Sequence, residues 1–376
     1  MSKDIMVIAG EASGDLHGAS FIRELKKLDP AIAVCGIGGG EMRAEGMETI
    51  FHINQMAFLG FVEVLKHLPF IKEVQKKLIS VIEERKIKTV VLIDYPGFNL
   101  NFAEKLWRMK VKVVYYISPQ LWAWGAGRVK KIRKYVDKMI VLFPFESEFY
   151  KKHGIEAECV GHPLIKRINE YKFQSKEEFC KEHGLQADKD ILCILPGSRM
   201  QEITGLLGET MKAAERLADD FNMQVAIACS SNIDEKVFDE YKSLGKFAII
   251  KNKTYELFRY SKLGIVKSGT STLEAGLFGL PMAVVYKTSL LTYLIGKSLI
   301  KIDKIGLVNI VAGEKVVPEL IQNEASAEKI YAEAANILSK PELYGGIKEK
   351  LKIISSKLGE KDASAETARI VYSYLT

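Results

Sequence analysis

Short unbroken apolar runs alternate along this chain with helix-length amphipathic stretches. The runs Ile5–Ala9, Ala33–Ile37, Thr89–Ile93, Val111–Ile117 and Met139–Phe143 lack the polar alternation of a half-exposed strand. That pattern predicts strands buried on both faces of a parallel sheet. Between them, Gly18–Leu28, Ile71–Arg85 and Asn101–Lys110 have the length and spacing of covering helices. The rhythm restarts after residue 165, with strands predicted at Ile191–Leu195, Gln224–Ala228, Phe247–Ile250, Gly264–Val266 and Met282–Tyr286 and a helix at Leu206–Phe221. The expectation is two doubly wound α/β units joined near Gly161-His162-Pro163. The charged stretch Ile165–Lys189 leads into the second unit, and Ser326–Thr376 reads as two or three amphipathic helices.

A length of 376 residues agrees with two domains, at roughly 150 residues each. No stretch reaches the roughly 18 apolar residues of a membrane span. Ile5–Ala9 is too short for a signal-peptide core, and Glu11 follows it closely. The five cysteines (Cys35, Cys159, Cys180, Cys193, Cys229) contain no C-x-x-C pair, which predicts a reduced cytoplasmic protein with buried thiols. A net charge of +7 is too mild for a protein coated in nucleic acid. The surplus is uneven, however. Between Ala103 and Lys138 stand ten cations, Lys105, Arg108, Lys110, Lys112, Arg128, Lys130, Lys131, Arg133, Lys134 and Lys138, against Glu104 and Asp137. The apolar segment Phe58–Ile71 is followed by Lys72, Lys76 and Lys77. Apolar residues beside a cationic face suit docking on an anionic membrane surface, while a solvated helix face accounts equally for any single lysine.

In open parallel sheets, ligands bind beyond the carboxyl ends of the strands. The first such loop is Gly10-Glu11-Ala12-Ser13-Gly14-Asp15-Leu16-His17-Gly18, whose small residues allow close backbone approach but which lacks G-x-G-x-x-G. Asp15 serves equally as a helix cap or a ligand residue, and His17, as a lone histidine, is more often a structural hydrogen-bonder than a chemical group. Asp94, at the end of Thr89–Ile93, begins a loop closed by Asn99, and burial there would raise its pKa toward that of a working base. Ser118–Gly125 carries Trp122 and Trp124, a platform for a sugar ring or an apolar chain, or else core packing. In the second half, Leu195-Pro196-Gly197-Ser198-Arg199, with Glu202 in the following helix, is an anion-binding arrangement. Lys267-Ser268-Gly269-Thr270-Ser271-Thr272-Leu273-Glu274 offers hydroxyls and free N–H groups to a diphosphate, with Glu274 either accepting from ribose hydroxyls or closing a capping box with Ser271. No P-loop and no metal-ligand cluster is present in the sequence, and Asp188-Lys189-Asp190 precedes a strand rather than following one. A metal-free, cofactor-free transferase using a sugar nucleotide is the inference.

The blocks together resemble the lipid-A-disaccharide synthase family. The matching residues run from Gly10–Asp15 through Gly38-Gly39 with Met42, Gly60 with Glu63-Val64, Asp94 with Phe98-Asn99, and Ser118-Pro119 with Trp122-Ala123-Trp124 and Arg128. They continue through Gly161-His162-Pro163, Leu195–Arg199, Glu202, Ser268-Gly269-Thr270, Thr272-Leu273-Glu274, Val285-Tyr286-Lys287, Asn309 and Gln322. The resemblance implies an α/β fold of two Rossmann-like doubly wound domains facing a central cleft, the GT-B glycosyltransferase type. Residues 1–165 would bind acceptor and membrane, 166–345 would bind the UDP-sugar, and the helices of 346–376 would pack back on the first domain.

The activity it implies is transfer of 2,3-diacylglucosamine from UDP-2,3-diacylglucosamine to 2,3-diacylglucosamine 1-phosphate, with inversion, giving a β-1,6 disaccharide 1-phosphate and UDP. The expected setting is the inner face of the inner membrane of a Gram-negative bacterium, with a homodimer left open and no nucleic acid as partner. Asp94 is the leading candidate base, with His17 as orienting partner or second candidate, and Arg199 would stabilise the departing diphosphate. Substrate contacts are expected from Glu11, Ser13, Asp15, Glu63, Asn99, Trp122, Trp124, Arg128, Ser198, Glu202, Ser268, Gly269, Thr270, Ser271, Thr272, Glu274, Tyr286, Lys287, Asn309 and Gln322. The chain departs from the family pattern at Gly97, where an acidic residue is frequent, at Gly125-Ala126-Gly127, and at Val308, where proline is frequent. The alternatives are another inverting transferase of this fold, such as the N-acetylglucosaminyltransferase of peptidoglycan synthesis, a UDP-sugar epimerase, or a non-catalytic membrane-bound sugar-nucleotide sensor.

Overall fold

The computed structural model describes residues 4–56, 67–122, 126–289, 293, 303–359 and 361–375. Glu63, Trp124 and most of the apolar segment after Phe58 lie outside the described residues. The chain divides into two compact units, Met1–Lys166 with Leu358–Thr376, and Arg167–Lys357.

The first unit is built on strands β1 (Ile5–Ala9), β2 (Val34–Gly38), β3 (Glu48–His52), β4 (Thr89–Ile93), β5 (Lys112–Tyr116), β6 (Lys138–Val141) and β7 (Ala157–Cys159). They form one sheet in the order β3-β2-β1-β4-β5-β6-β7, with every pairing parallel. β1, β2 and β4 are buried throughout, as unbroken apolar runs require of strands covered on both faces. The edge strands β3 and β7 have no such run and were not predicted; Glu48–His52 is half-exposed and Ala157–Cys159 is three residues long. One core joins the sheet to its helices through Val74, Leu78, Phe98, Phe102, Leu106 and Tyr150.

The second unit carries β8 (Asp190–Leu195), β9 (Met223–Cys229), β10 (Phe247–Lys251), β11 (Ser261–Lys267), β12 (Met282–Tyr286) and β13 (Glu319–Ile321). Their order is β10-β9-β8-β11-β12-β13, again all parallel. In both sheets the order reverses beside the first strand, at β1/β4 and at β8/β11. Such switch points leave a crevice at the carboxyl ends, where the flanking loops part to opposite faces.

The tail differs from expectation in where it turns. The helix Pro341–Leu358 stays with the second unit: Leu351 approaches Gly276, Lys350 pairs with Glu314 at 2.6 Å, and Lys357 donates to the Ala312 carbonyl at 2.5 Å. A boundary at 345/346 would cut this helix, and the division falls at its end instead. Only the last helix, Ala363–Tyr372, joins the first unit, against helix Ala12–Leu28. Lys166 holds Asp362 at 2.6 Å, Asp362 in turn caps the last helix, and Thr89 donates to the Tyr374 carbonyl at 3.1 Å.

Candidate active site

The first switch point sets two loops side by side. Ala9 pairs with Ile93, so β1 and β4 end level and their loops leave the sheet together. The β1 loop is shorter than the sequence suggested: the helix begins at Ala12, with Glu11 as its N-cap. Glu11 and Ser13 are exposed, and His17, one turn beyond Ser13, is half-buried.

After β4 the chain turns sharply, with Asp94 and Tyr95 both left-handed (φ 42° and 46°). That conformation costs about 1–2 kcal/mol per residue for an L-amino acid, more readily borne by Asp than by Tyr. Four contacts hold it. The Asn99 amide donates to the carbonyls of Ile93 (3.2 Å) and Asp94 (2.8 Å), Tyr115 Oη donates to the Asp94 carbonyl at 2.5 Å, and Tyr95 Oη donates to the Met56 carbonyl at 2.9 Å. The Tyr95 ring lies where a Cβ on residue 10 would be, 2.2 Å from its nearest atom, so Gly10 is required by packing. The Asp94 carboxylate itself stays uncommitted to this clamp. Burial, then the charge of Glu11, raises its pKa to about 6, with the Tyr95 N–H opposing. Arg128 exerts its charge on Tyr115 next door. Thus Glu11 and Asp94 share the ends of β1 and β4, with Arg128 near Tyr115 on the adjoining β5.

Other first-unit residues do structural work. Asp15 is buried, and its carboxylate accepts the N–H groups of Gly39 (2.6 Å), Glu41 (3.0 Å) and Met42 (3.2 Å). It caps the neighbouring helix Gly40–Ala44 rather than its own helix. Asn99 is likewise a clamp whose amide holds the Asp94 turn. Trp122 is no open platform: its indole donates to Glu146 at 3.3 Å and its ring meets Phe145 edge-on at 5.1 Å. Three cations of the basic stretch are paired, Arg108 with Glu104, Lys112 with Asp137 and Lys138 with Glu158.

The second switch point opens into a cavity of about 640 Å³, within the usual range for a small-molecule site. Gly197, Ser198 and Arg199 from the β8 loop line it, with Lys267, Thr270 and Ser271 from the β11 loop. Gly197 has φ 122°, and a Cβ there would lie 2.4 Å from Glu202 Oε2, so only glycine fits. Glu202 receives the Ser198 N–H at 3.0 Å and the Lys267 ammonium at 2.7 Å. It therefore organises the loop while also lining the cavity. The Arg199 side chain is 74 % exposed and only 3.6 Å from Glu202, a loosely tethered cation.

The helix Thr270–Leu277 begins at the cavity wall with Gly269 as N-cap and no side-chain cap bond. The capping box Ser271–Glu274 is therefore not formed. Thr270 is exposed and Ser271 half-exposed at this helix N-terminus, which favours anions. Glu274 instead meets Tyr255 Oη at 3.4 Å; burial raises its pKa, against the charge of Arg167 and the Tyr255 hydrogen bond. Tyr286 lies near Lys267, whose ammonium is 5.8 Å from its ring centre, and Lys287 is exposed.

Ser268, Thr272, Asn309 and Gln322 are scaffold. Ser268 donates to the Ile305 carbonyl at 2.9 Å and Thr272 to the Gly269 carbonyl at 2.8 Å. Asn309 is buried, bonding Val316, Val317 and Glu319, and Gln322 grips both the N–H and carbonyl of Thr288. Arg167, Tyr255 and Lys267 line the cavity without having been assigned a role from sequence. Lys267 alone carried a signal, a cation at the very end of a buried strand. Among the described residues no cluster of three His, Cys, Asp or Glu is arranged to hold a metal.

Two parallel-sheet α/β units, each with candidate site residues at its switch point, are the architecture of the GT-B fold. Over 99 % of its length the chain has the fold of the glycosyltransferase of kitacinnamycin (TM-score 0.66, 12 % identity, 99 % of that chain). It is likewise similar over 99 % of both chains to UDP-GlcNAc 2-epimerase from Neisseria meningitidis, solved with UDP-GlcNAc bound (TM-score 0.62, 13 % identity). Those likenesses concern the fold alone. The profile of the lipid-A-disaccharide synthetase family matches residues 5–370. The lipid-A-disaccharide synthases of Geobacter metallireducens and Geobacter sulfurreducens are each 41 % identical over 100 % of this chain and 98 % of their own. The chain belongs to the lipid-A-disaccharide synthase family, glycosyltransferases of lipid A biosynthesis.

Proposed function

We propose that the protein transfers 2,3-diacylglucosamine from its UDP conjugate to the 6-hydroxyl of 2,3-diacylglucosamine 1-phosphate. The first unit takes the acceptor and the second takes UDP. Asp94 removes the hydroxyl proton as the oxygen attacks the donor's anomeric carbon. The bond from that carbon to the diphosphate breaks in the same in-line step, so configuration inverts and UDP leaves. Arg199 and the N–H groups of Thr270 and Ser271 take up the charge that develops on the diphosphate, and Glu274 accepts from the ribose hydroxyls. The observation that carries the reading is Asp94: a carboxylate at a switch point, held in a left-handed turn, with its pKa raised to about 6.

The acceptor is a lipid, and the first unit presents a surface suited to one. Leu68 is 41 % exposed at the start of helix Leu68–Arg85, on which Lys72, Lys76 and Lys77 are also exposed. Peripheral docking on the inner face of an anionic membrane follows, and among the described residues no helix is long and apolar enough to cross one. The test is to incubate the purified protein with UDP-diacylglucosamine and diacylglucosamine 1-phosphate and to measure UDP and disaccharide by mass spectrometry. No disaccharide, beside a working control enzyme on the same lipids, overturns the proposal.

A further inference from the structure

Glu146 is distant in sequence from every residue given a chemical role, yet it is buried and tied to the loop that follows β5. Its Oε2 accepts the N–H groups of Leu142 (3.2 Å) and Phe143 (3.2 Å), which closes the first turn of helix Pro144–Lys152. Its Oε1 accepts the Trp122 indole N–H, a bond that capping does not require. Ser118, at the start of the same loop, bonds Tyr150 of the same helix at 2.9 Å. Both ends of Ser118–Trp122 are therefore fastened to one helix, and the Trp122 end is fastened through a carboxylate. That loop leaves the sheet beside Asp94, since Tyr116 and Ile93 are paired and the Asp94 N–H donates to the Tyr116 carbonyl at 3.0 Å.

We propose that Glu146 is a positioning residue for the acceptor: as a carboxylate it holds Trp122 and the Ser118–Trp122 loop in place, and its protonation releases them. This rests on the reading that the first unit takes the acceptor. The geometry dictates which oxygen receives the proton. Oε2 faces two backbone donors, so the proton goes to Oε1, whose capacity to accept the indole N–H is thereby weakened and whose new O–H turns to an acceptor such as the Ser118 hydroxyl. Burial raises the Glu146 pKa to about 7, against the Phe143 and Leu142 amides, the Trp122 indole and Ser118. Among the described residues, the other titratable groups facing it are Tyr150 on its own helix and Cys159 on β7, both raised by burial. His162 lies one ring further, 5.1 Å from Phe143, its Nδ1 accepting from the Leu164 N–H.

Glu146→Gln tests this, because its amide oxygen keeps the backbone bonds while its NH2 faces the indole, mimicking the protonated state at every pH. In the wild type, acceptor KM should rise on the order of tenfold as pH falls from 8 to 6, the scale of one lost bond to a charged group. Glu146→Gln should show the raised KM already at pH 8 and no dependence below it. Trp122→Phe, which keeps a ring against Phe145 and loses the N–H, should behave the same way and covers the case in which Glu146→Gln does not fold. A flat wild-type KM, or a titrating one in both variants, overturns the proposal. A second readout is independent of turnover. The Trp122 indole N–H resonance in 15N-tryptophan-labelled protein should shift with a midpoint near pH 7 in the wild type and stay fixed in Glu146→Gln. An indole that does not titrate refutes the Glu146–Trp122 link even if the protein is a synthase. An indole that titrates in a protein making no disaccharide leaves the link standing and removes the acceptor reading alone.

Discussion

Asp94→Asn should make the protein a poorer enzyme and a more stable one, and the second effect should depend on pH. Asparagine is nearly isosteric and takes a left-handed backbone as readily as aspartate, so the turn at φ 42° survives the change. The native carboxyl pKa is raised from 3.8 to about 6, chiefly by burial and then by Glu11. Between those values the folded protein holds a proton that the unfolded chain has lost, so stability falls as pH rises through this window. At about 1.4 kcal/mol per pKa unit the ionised form costs about 3 kcal/mol above pH 6, and the side chain's partial exposure reduces that to about 2. Asparagine carries no such penalty. Asp94→Asn should therefore melt roughly 4–8 °C higher than wild type at pH 8, with the gap closing near pH 4. Turnover should fall by a factor of about 10² to 10⁴ if a general base is lost, and the wild-type kcat should show an acid limb with a midpoint near 6. Thermal melts at both pH values and a UDP-release assay decide the matter. Near-wild-type turnover refutes the base, and an equal stability gap at pH 4 and pH 8 refutes the burial argument.

Arg199→Ala should lose on the order of a hundredfold in kcat with an unchanged melting temperature, because its side chain is 74 % exposed; a rate within a few-fold of wild type removes the charge assignment. Asp15→Ala should destabilise the first unit by about 3 kcal/mol, since three backbone N–H groups lose their acceptor in a buried place. UDP affinity measured by calorimetry should stay unchanged in that variant, because the second unit is untouched. Gly197→Ala should weaken UDP binding at least tenfold, because the new Cβ at φ 122° displaces the Glu202 carboxylate from Ser198 and Lys267; wild-type affinity would show that this carboxylate does not organise the loop.

The buried strands and the ends where chemistry gathers were legible because burial on both faces leaves an unbroken apolar signature. Ile5–Ala9, Thr89–Ile93 and Met282–Tyr286 were read to the residue. Three of the four edge strands carry no such mark, so Glu48–His52, Ala157–Cys159 and Glu319–Ile321 emerged only from their pairing, whereas the edge strand Phe247–Lys251 was read from its apolar run. Helix starts were read late. Ala12 and Pro96 already lie in helices, because small and turn-forming residues at a ligand-side helix start look like loop. The tail showed the same limit, since the amphipathic pattern of Pro341–Leu358 says that one face is buried without saying against which unit.

Residue type and position along the chain were enough to make Asp94, Arg199 and Glu274 candidates for chemical roles, each following the carboxyl end of a buried strand. Which polar residues remain available to a ligand was decided only by the tertiary structure. Asp15, Asn99, Glu202 and Asn309 have the same chemistry as site residues, but hydrogen bonds already hold them, some with nearby backbone (Asn99 with Asp94, Glu202 with Ser198, Asn309 with Val316) and some with groups far along the chain (Asp15 with Gly39, Glu202 with Lys267). A carboxylate or amide is read from one position, whereas its freedom depends on partners that folding brings from elsewhere. For the same reason Glu146 was invisible to the sequence: its partner Trp122 lies 24 residues away, after the neighbouring strand β5.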